Sequence, residues 1–223
     1  MEAPECFKAE SGSGTARSSL TCGEAVTIRV VCLCADNPEN VTMPTPACSP
    51  AANLTRLMLD SYLGKNISEI CPHGFDDADL NHCAHFVCHV MNVSAGSVTC
   101  SKMSSKRVAD RIGACIRVHE LFAACPVVGE YDAATAEQLA GGVFVFVTAA
   151  SAVHLKTKSM TNIPKKHVGI ALDGTIWHYS NTGDEVVTAK PEAFRRHYKG
   201  QVSGLYFGSF PAQAIPSSFG CGR

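Results

Sequence analysis

His167-Val-Gly-Ile-Ala-Leu-Asp-Gly-Thr-Ile-Trp-His-Tyr-Ser180 is the stretch that decides how this chain folds. It contains two runs rich in β-branched and aromatic residues, and they meet at Asp173-Gly174, a pair suited to a two-residue hairpin turn. An antiparallel hairpin lays the start of its first strand beside the end of its second, so His167 and His178 are expected to meet. A lone histidine at a strand end is usually a surface residue; the pairing is what gives these two weight.

The pattern extends on both sides. Val143-Phe-Val-Phe-Val147 and Gly204-Leu-Tyr-Phe-Gly208 read as further strands, with a short helix over Pro191 to Tyr198 between them. Upstream the period changes. Ser104 to Ala124 spaces Val108, Ile112, Cys115, Ile116 and Leu121 as an amphipathic helix. Ser49-Pro50 is expected to open another helix, with Leu54, Leu57, Met58 and Leu59 as its apolar positions. Helices first and an antiparallel sheet afterwards predict an α+β domain. Before it lie a Ser/Gly/Thr/Ala-rich lead-in, a strand over Val26 to Cys34, and a connection from Asp36 to Pro50 with four prolines. The expected organisation is an N-terminal extension with one strand, 1–50, and a main domain, 51–223.

Composition narrows the functional classes. The chain has 223 residues, 46% apolar and 17% charged, enough to bury a sizeable core. A formal net charge of −1 supplies no basic field for a nucleic-acid partner. The longest apolar stretch, Gly141 to Ala150, falls far short of the roughly 20 residues of a membrane helix, so no membrane insertion is expected. The N-terminus has acidic residues and no apolar run behind them, unlike a secretory signal. There are twelve cysteines. Small buried thiols and late-formed disulfides both accommodate them, and spacing does not choose. The triplets at Asn40, Asn53, Asn66 and Asn92 are glycosylation sites only if the chain enters a secretory compartment.

The second informative segment is Leu80-Asn-His-Cys-Ala-His-Phe-Val-Cys-His-Val-Met91. At helical spacing Cys83, Phe86, Val87 and Val90 share one side, and His82, His85 and His89 lie on a neighbouring strip. Capping by Asp79 or Asn81 puts Cys83 in the first turn. There the unpaired backbone N–H groups favour a thiolate and are donors for an oxyanion. A cysteine on an apolar helix face is, taken alone, more often a core residue.

Together these motifs resemble the NlpC family of papain-like cell-wall peptidases and amidases. Asn81-His-Cys83-Ala-His-Phe-Val87 is similar to the family's nucleophile helix, Gly141-Gly-Val-Phe-Val-Phe146 to the strand that follows it, and His167 to Ile170 to its His-Val-Gly-Ile strand. His178 matches its third polar residue. The resemblance covers roughly Leu80 to Phe210, in the family's order. The family's Tyr/Trp-Gly-Gly approach is replaced by Cys71-Pro-His-Gly-Phe75, which leaves the oxyanion-hole aromatic unassigned. The interval from Cys83 to His167 is also long, through an insertion spanning about 100–164. The lecithin–retinol acyltransferase group has a similar cysteine motif, but its histidine comes first; here the cysteine does.

The resemblance implies a papain-like fold and a cysteine endopeptidase or amidase acting on peptidoglycan stem peptides. Cys83 would attack, His167 would serve as base and His178 would orient it, with no cofactor and no assigned metal ligand. Type VI secretion amidase effectors resemble the chain in size and core motifs. That likeness implies synthesis in the cytoplasm, delivery by a secretion apparatus, action in a target cell's periplasm and a cognate immunity protein. Three rival readings stand beside it. An acyltransferase or thioesterase uses the same Cys-His machinery. A catalytically inactive binding module keeps the fold alone. A zinc-stabilised module draws ligands from Cys71, His82, Cys83, His85, Cys88 and His89, although Cys-x-x-Cys and His-Glu-x-x-His are absent. The histidine strip is expected to line a solvent groove.

Overall fold

The computed structural model describes residues 54–106, 108, 112–198 and 203–216. The expected extension 1–50, its strand over Val26 to Cys34 and the Ser49-Pro50 helix start lie outside them. The first described helix, α1 (Arg56–Asp60), is instead capped by Thr55, whose hydroxyl accepts from the Met58 N–H. A capping box of Asn66 and Glu69 opens α2 (Ile67–Ile70). Then follow α3 (Cys83–Val90), α4 (Cys100–Met103), α5 (Val118–Ala124), β1 (Val128–Glu130), α6 (Ala136–Leu139) and β2 (Val143–Ala149). The rest comprises β3 (Val153–His154), β4 (Ser159–Met160), β5 (Lys166–Leu172), β6 (Thr175–Ser180), β7 (Glu185–Ala189), α7 (Pro191–Arg195) and β8 (Ser203–Gly208).

Six strands form one antiparallel sheet in the order β1-β8-β2-β5-β6-β7, and β3 pairs with β4 separately. Mixed helix and antiparallel sheet make the domain α+β. The central strand β2 is buried on both faces, which accounts for its unbroken apolar run. On one face Phe144, Phe146, Val168, Ile170, Trp177 and Tyr179 join a core with Leu59, Tyr62, Phe86 and Phe122 of the helical half. On the other, Val143, Val145, Val147, Ala171 and Ile176 pack with Phe194 of α7.

Polar contacts hold the helices to β6. The Trp177 indole donates to Asp60 at 3.0 Å, and the Tyr179 hydroxyl accepts from the Ile67 N–H at 3.0 Å while donating to Asp184 at 2.6 Å. The segment between α1 and α2 also closes on β7: Gly64 N donates to Val186 O at 2.9 Å, and Val186 N to Lys65 O at 3.0 Å.

The four expected strands that fall within the described residues are present, as is the helix at Pro191, although it ends at Arg195. β1, β3, β4 and β7 were not anticipated. Among the described residues of Ser104 to Ala124, the expected helix is corrected to α5 alone. Cys115 instead bridges Thr99, and its N–H donates to Val93 O at 3.1 Å. Gly113 lies so close to Ser101 that an added Cβ would sit 2.0 Å from its Oγ. This segment answers to a neighbouring backbone rather than to its own apolar spacing.

Candidate active site

Cys83 is the first residue of α3; the N-cap is His82 rather than the expected Asp79 or Asn81, though the Cys83 N–H does donate to Asn81 Oδ1 at 3.0 Å. The preceding loop is fastened to the sheet: His82 N donates to Asn181 Oδ1 at 2.9 Å, just past β6. The thiol is fully buried, and burial pushes it up to about 12. The N–H groups of Val168, Ala84 and Cys83 itself, together with the Lys166 charge, pull the other way. The sulfur thus rests on the face of β5 that carries Val168, whereas His167, the neighbouring residue, points to the opposite face.

His167 Nε2 and His178 Nδ1 stand 3.0 Å apart, which brings together the two ring nitrogens the hairpin argument paired. The strand register explains how. Ile170 faces Trp177, so His178 lies opposite Gly169, diagonal to His167 on the same face. A Cβ at 169 would come 2.6 Å from Ile176 Cγ2 and 3.2 Å from His178 Cβ. Glycine therefore leaves the space through which the second imidazole leans toward the first. The remaining nitrogen of His167, Nδ1, is buried and has no hydrogen-bond partner among the described residues, the Cys83 thiol included. Cross-strand pairing with Val147 places this ring on the α7 side of the sheet, against Phe194.

Three residues near this site were missed. His197 stacks on His167 with centroids 4.0 Å apart and planes 11° from parallel. Desolvation, reinforced by the neighbouring imidazoles, holds His167 well below the usual histidine range and lowers His178 to about 4. Tyr198 lies close enough for Cys83 to raise its hydroxyl further above the level set by burial. Asn181 is the third. None belongs to a local motif; each is delivered by the fold. Asn81, Ile116, Arg117, Val118, His119, Asn162, Pro164 and Lys166 line a pocket of ≈ 190 Å³, a set that includes neither Cys83 nor the paired histidines. Arg117 and Lys166 give it a cationic character.

The histidine strip of α3 is not a solvent groove. His82 and His85 are completely buried, and Phe75 sets its ring edge-on to both. Cys71, His85, His89 and Cys100 bring four ligand atoms within 4.8 Å of one another. The weighed zinc set thus contributes three members, while Cys100 had not been considered. The six described cysteines, Cys71, Cys83, Cys88, Cys100, Cys115 and Cys125, are all free thiols and buried.

No family model, no curated protein and no solved structure matches this chain.

Proposed function

We propose that the chain is a papain-like cysteine hydrolase that cleaves amide bonds in peptidoglycan stem peptides. The observation that carries this reading is a first-turn thiol resting on the Val168 N–H of the strand that also carries a buried imidazole, His167, held by His178. Cys83 attacks the amide carbonyl. His167 takes the thiol proton on Nδ1, the nitrogen left over by the histidine pair, and returns it to the leaving amine. His178 is a positioning residue that fixes the tautomer of His167. The N–H groups gathered at the sulfur are placed for the charge that passes from sulfur to carbonyl oxygen. Water, deprotonated by His167, then hydrolyses the thioester and regenerates the thiol. Because His167 faces α7 while Val168 faces α3, proton transfer in this reading requires the start of β5 to rearrange so that the ring meets the sulfur.

The Arg117–Lys166 pocket suits the carboxylates of an acidic stem peptide. An immunity protein covering this pocket, delivery by a secretion apparatus and action in a target periplasm belong to the same reading. Incubation with purified peptidoglycan, followed by mass spectrometry of released fragments, tests it. New amine and carboxyl ends are expected from the native chain and absent with Cys83→Ala. Identical release by both would refute the assignment.

A further inference from the structure

We propose that Cys71, His85, His89 and Cys100 form a tetrahedral zinc site that staples three consecutive helical segments and holds the helix bearing Cys83. The ligands come from separate places. Cys71 terminates α2, His85 and His89 lie one turn apart on α3, and Cys100 begins α4. Their four donor atoms all lie within 4.8 Å of one another. Tetrahedral zinc with Zn–N of about 2.05 Å and Zn–S of about 2.3 Å requires N···N near 3.3 Å and N···S near 3.5 Å. The observed separations are 3.1 Å for His85 Nε2 to His89 Nε2 and 3.6 Å for His89 Nε2 to Cys100 Sγ.

The surrounding hydrogen bonds point the same way. A carbonyl only accepts, so the contact of His82 Nε2 with Asp77 O, at 2.9 Å, puts the proton of neutral His82 on Nε2. Its Nδ1 is then an acceptor for His85 Nδ1–H at 3.1 Å. That leaves the lone pair of His85 on Nε2, facing the other three donors. A backbone carbonyl thus sets the ligand's tautomer through one intervening ring, as outer partners do around metal-bound histidines. Cys100 Sγ accepts from the Ala114 N–H at 3.2 Å, a contact that favours thiolate.

Charge balance favours the ion as well. Binding Zn²⁺ releases the thiol protons of Cys71 and Cys100, and two thiolates with one divalent cation make a neutral unit fit for a buried place. A Cys71–Cys100 disulfide would use the two sulfurs but would give the imidazole nitrogens no reason to aim at the same point. The closed set of four protein ligands marks a structural site, since a catalytic zinc keeps one position open.

The test uses the full chain. Metal analysis of the purified protein is expected to find one zinc per chain, retained in Cys83→Ala and in Cys125→Ser. After zinc is removed, added Co²⁺ should produce the visible bands of tetrahedral cobalt and a near-ultraviolet thiolate charge-transfer band. Cys100→Ser and His89→Ala should lose the one-to-one zinc. His82→Ala, which keeps all four ligands, should weaken zinc binding about 10- to 100-fold. If the ligand variants fail to fold, the cobalt spectrum of the unaltered chain decides alone. Three results would each overturn the proposal: a chain that neither carries zinc nor binds added Co²⁺, a cobalt spectrum without thiolate charge transfer, or a mapped Cys71–Cys100 disulfide.

Discussion

Two clusters of imidazoles lie in this domain, one at the α7 face of the sheet and one on α3, and they differ in where their nitrogens point. On the sheet, His167 and His197 stack with planes nearly parallel, so their lone pairs do not converge. One nitrogen of His167 is spent on His178 and the other waits without a partner. On α3, His85 and His89 bring their Nε2 atoms together with two sulfurs at the corners of a small tetrahedron. In the readings proposed here the same side chain serves proton transfer in one place and cation binding in the other. Composition does not separate these uses; the direction of the ring edge does.

Removing Cys83 gives the largest contrast between the clusters. Cys83→Ala should reduce peptidoglycan hydrolysis by about 10⁴-fold or more while shifting folding stability by about 1 kcal/mol, read by product release and thermal melting. His167→Ala should match its activity loss. Next comes metal removal. Chelation should lower the melting temperature by about 10 °C or more, as expected for losing several kcal/mol from a domain of this size, and equally in native chain and Cys83→Ala. A chelator that abolished activity without altering the melt would move the metal from the helix to the chemistry.

Acid should then reveal the sheet cluster. His178 is held near 4 by burial and by the His197 charge, against about 6.5 unfolded, so the unfolded chain binds more protons between those values. The stabilisation is complete above about 6.5 and is lost as pH falls toward 4, on the order of 3 kcal/mol for this one group. Urea midpoints at pH 7 and 4.5 should differ less for His178→Asn than for the native chain. His167 is displaced in the same direction, so part of the slope should persist in that variant. The smallest effect expected is from Gly169→Ala. A methyl 2.6 Å from Ile176 Cγ2 and 2.8 Å from Trp177 O should cost about 1–3 kcal/mol and push His178 away from His167. An unchanged melt and rate would show that the hairpin has slack there.

The hairpin was legible because its information is local. Asp173 and Gly174 both adopt positive φ, 49° and 69°, as an Asp-Gly turn requires, and the strand period does the rest. Cys83 at a helix start was legible for the same reason, through Asn81. The helix expected over Ser104 to Ala124 was misread because apolar residues at helical intervals also serve a segment pinned by Gly113 and paired with Thr99. The strip of His82, His85 and His89 was correctly grouped but read as wet, since the side chain that covers it, Phe75, lies in an irregular loop. Cys100 joins the cluster only by long-range closure, as His197 joins His167. No spacing rule reports on that. The papain-like resemblance rests on motif order, and the fold described here agrees with it at the level of an α+β domain.

The link from Gly64 and Lys65 to Val186 has a consequence for how these molecules behave in a crowd. An outer strand with free amide and carbonyl groups invites a second chain to add itself, and repeated addition produces fibres. Here the middle of β7 already has its partners from within, and β1 at the opposite border is only three residues long. Concentrated solutions should therefore resist strand-by-strand self-association at these borders.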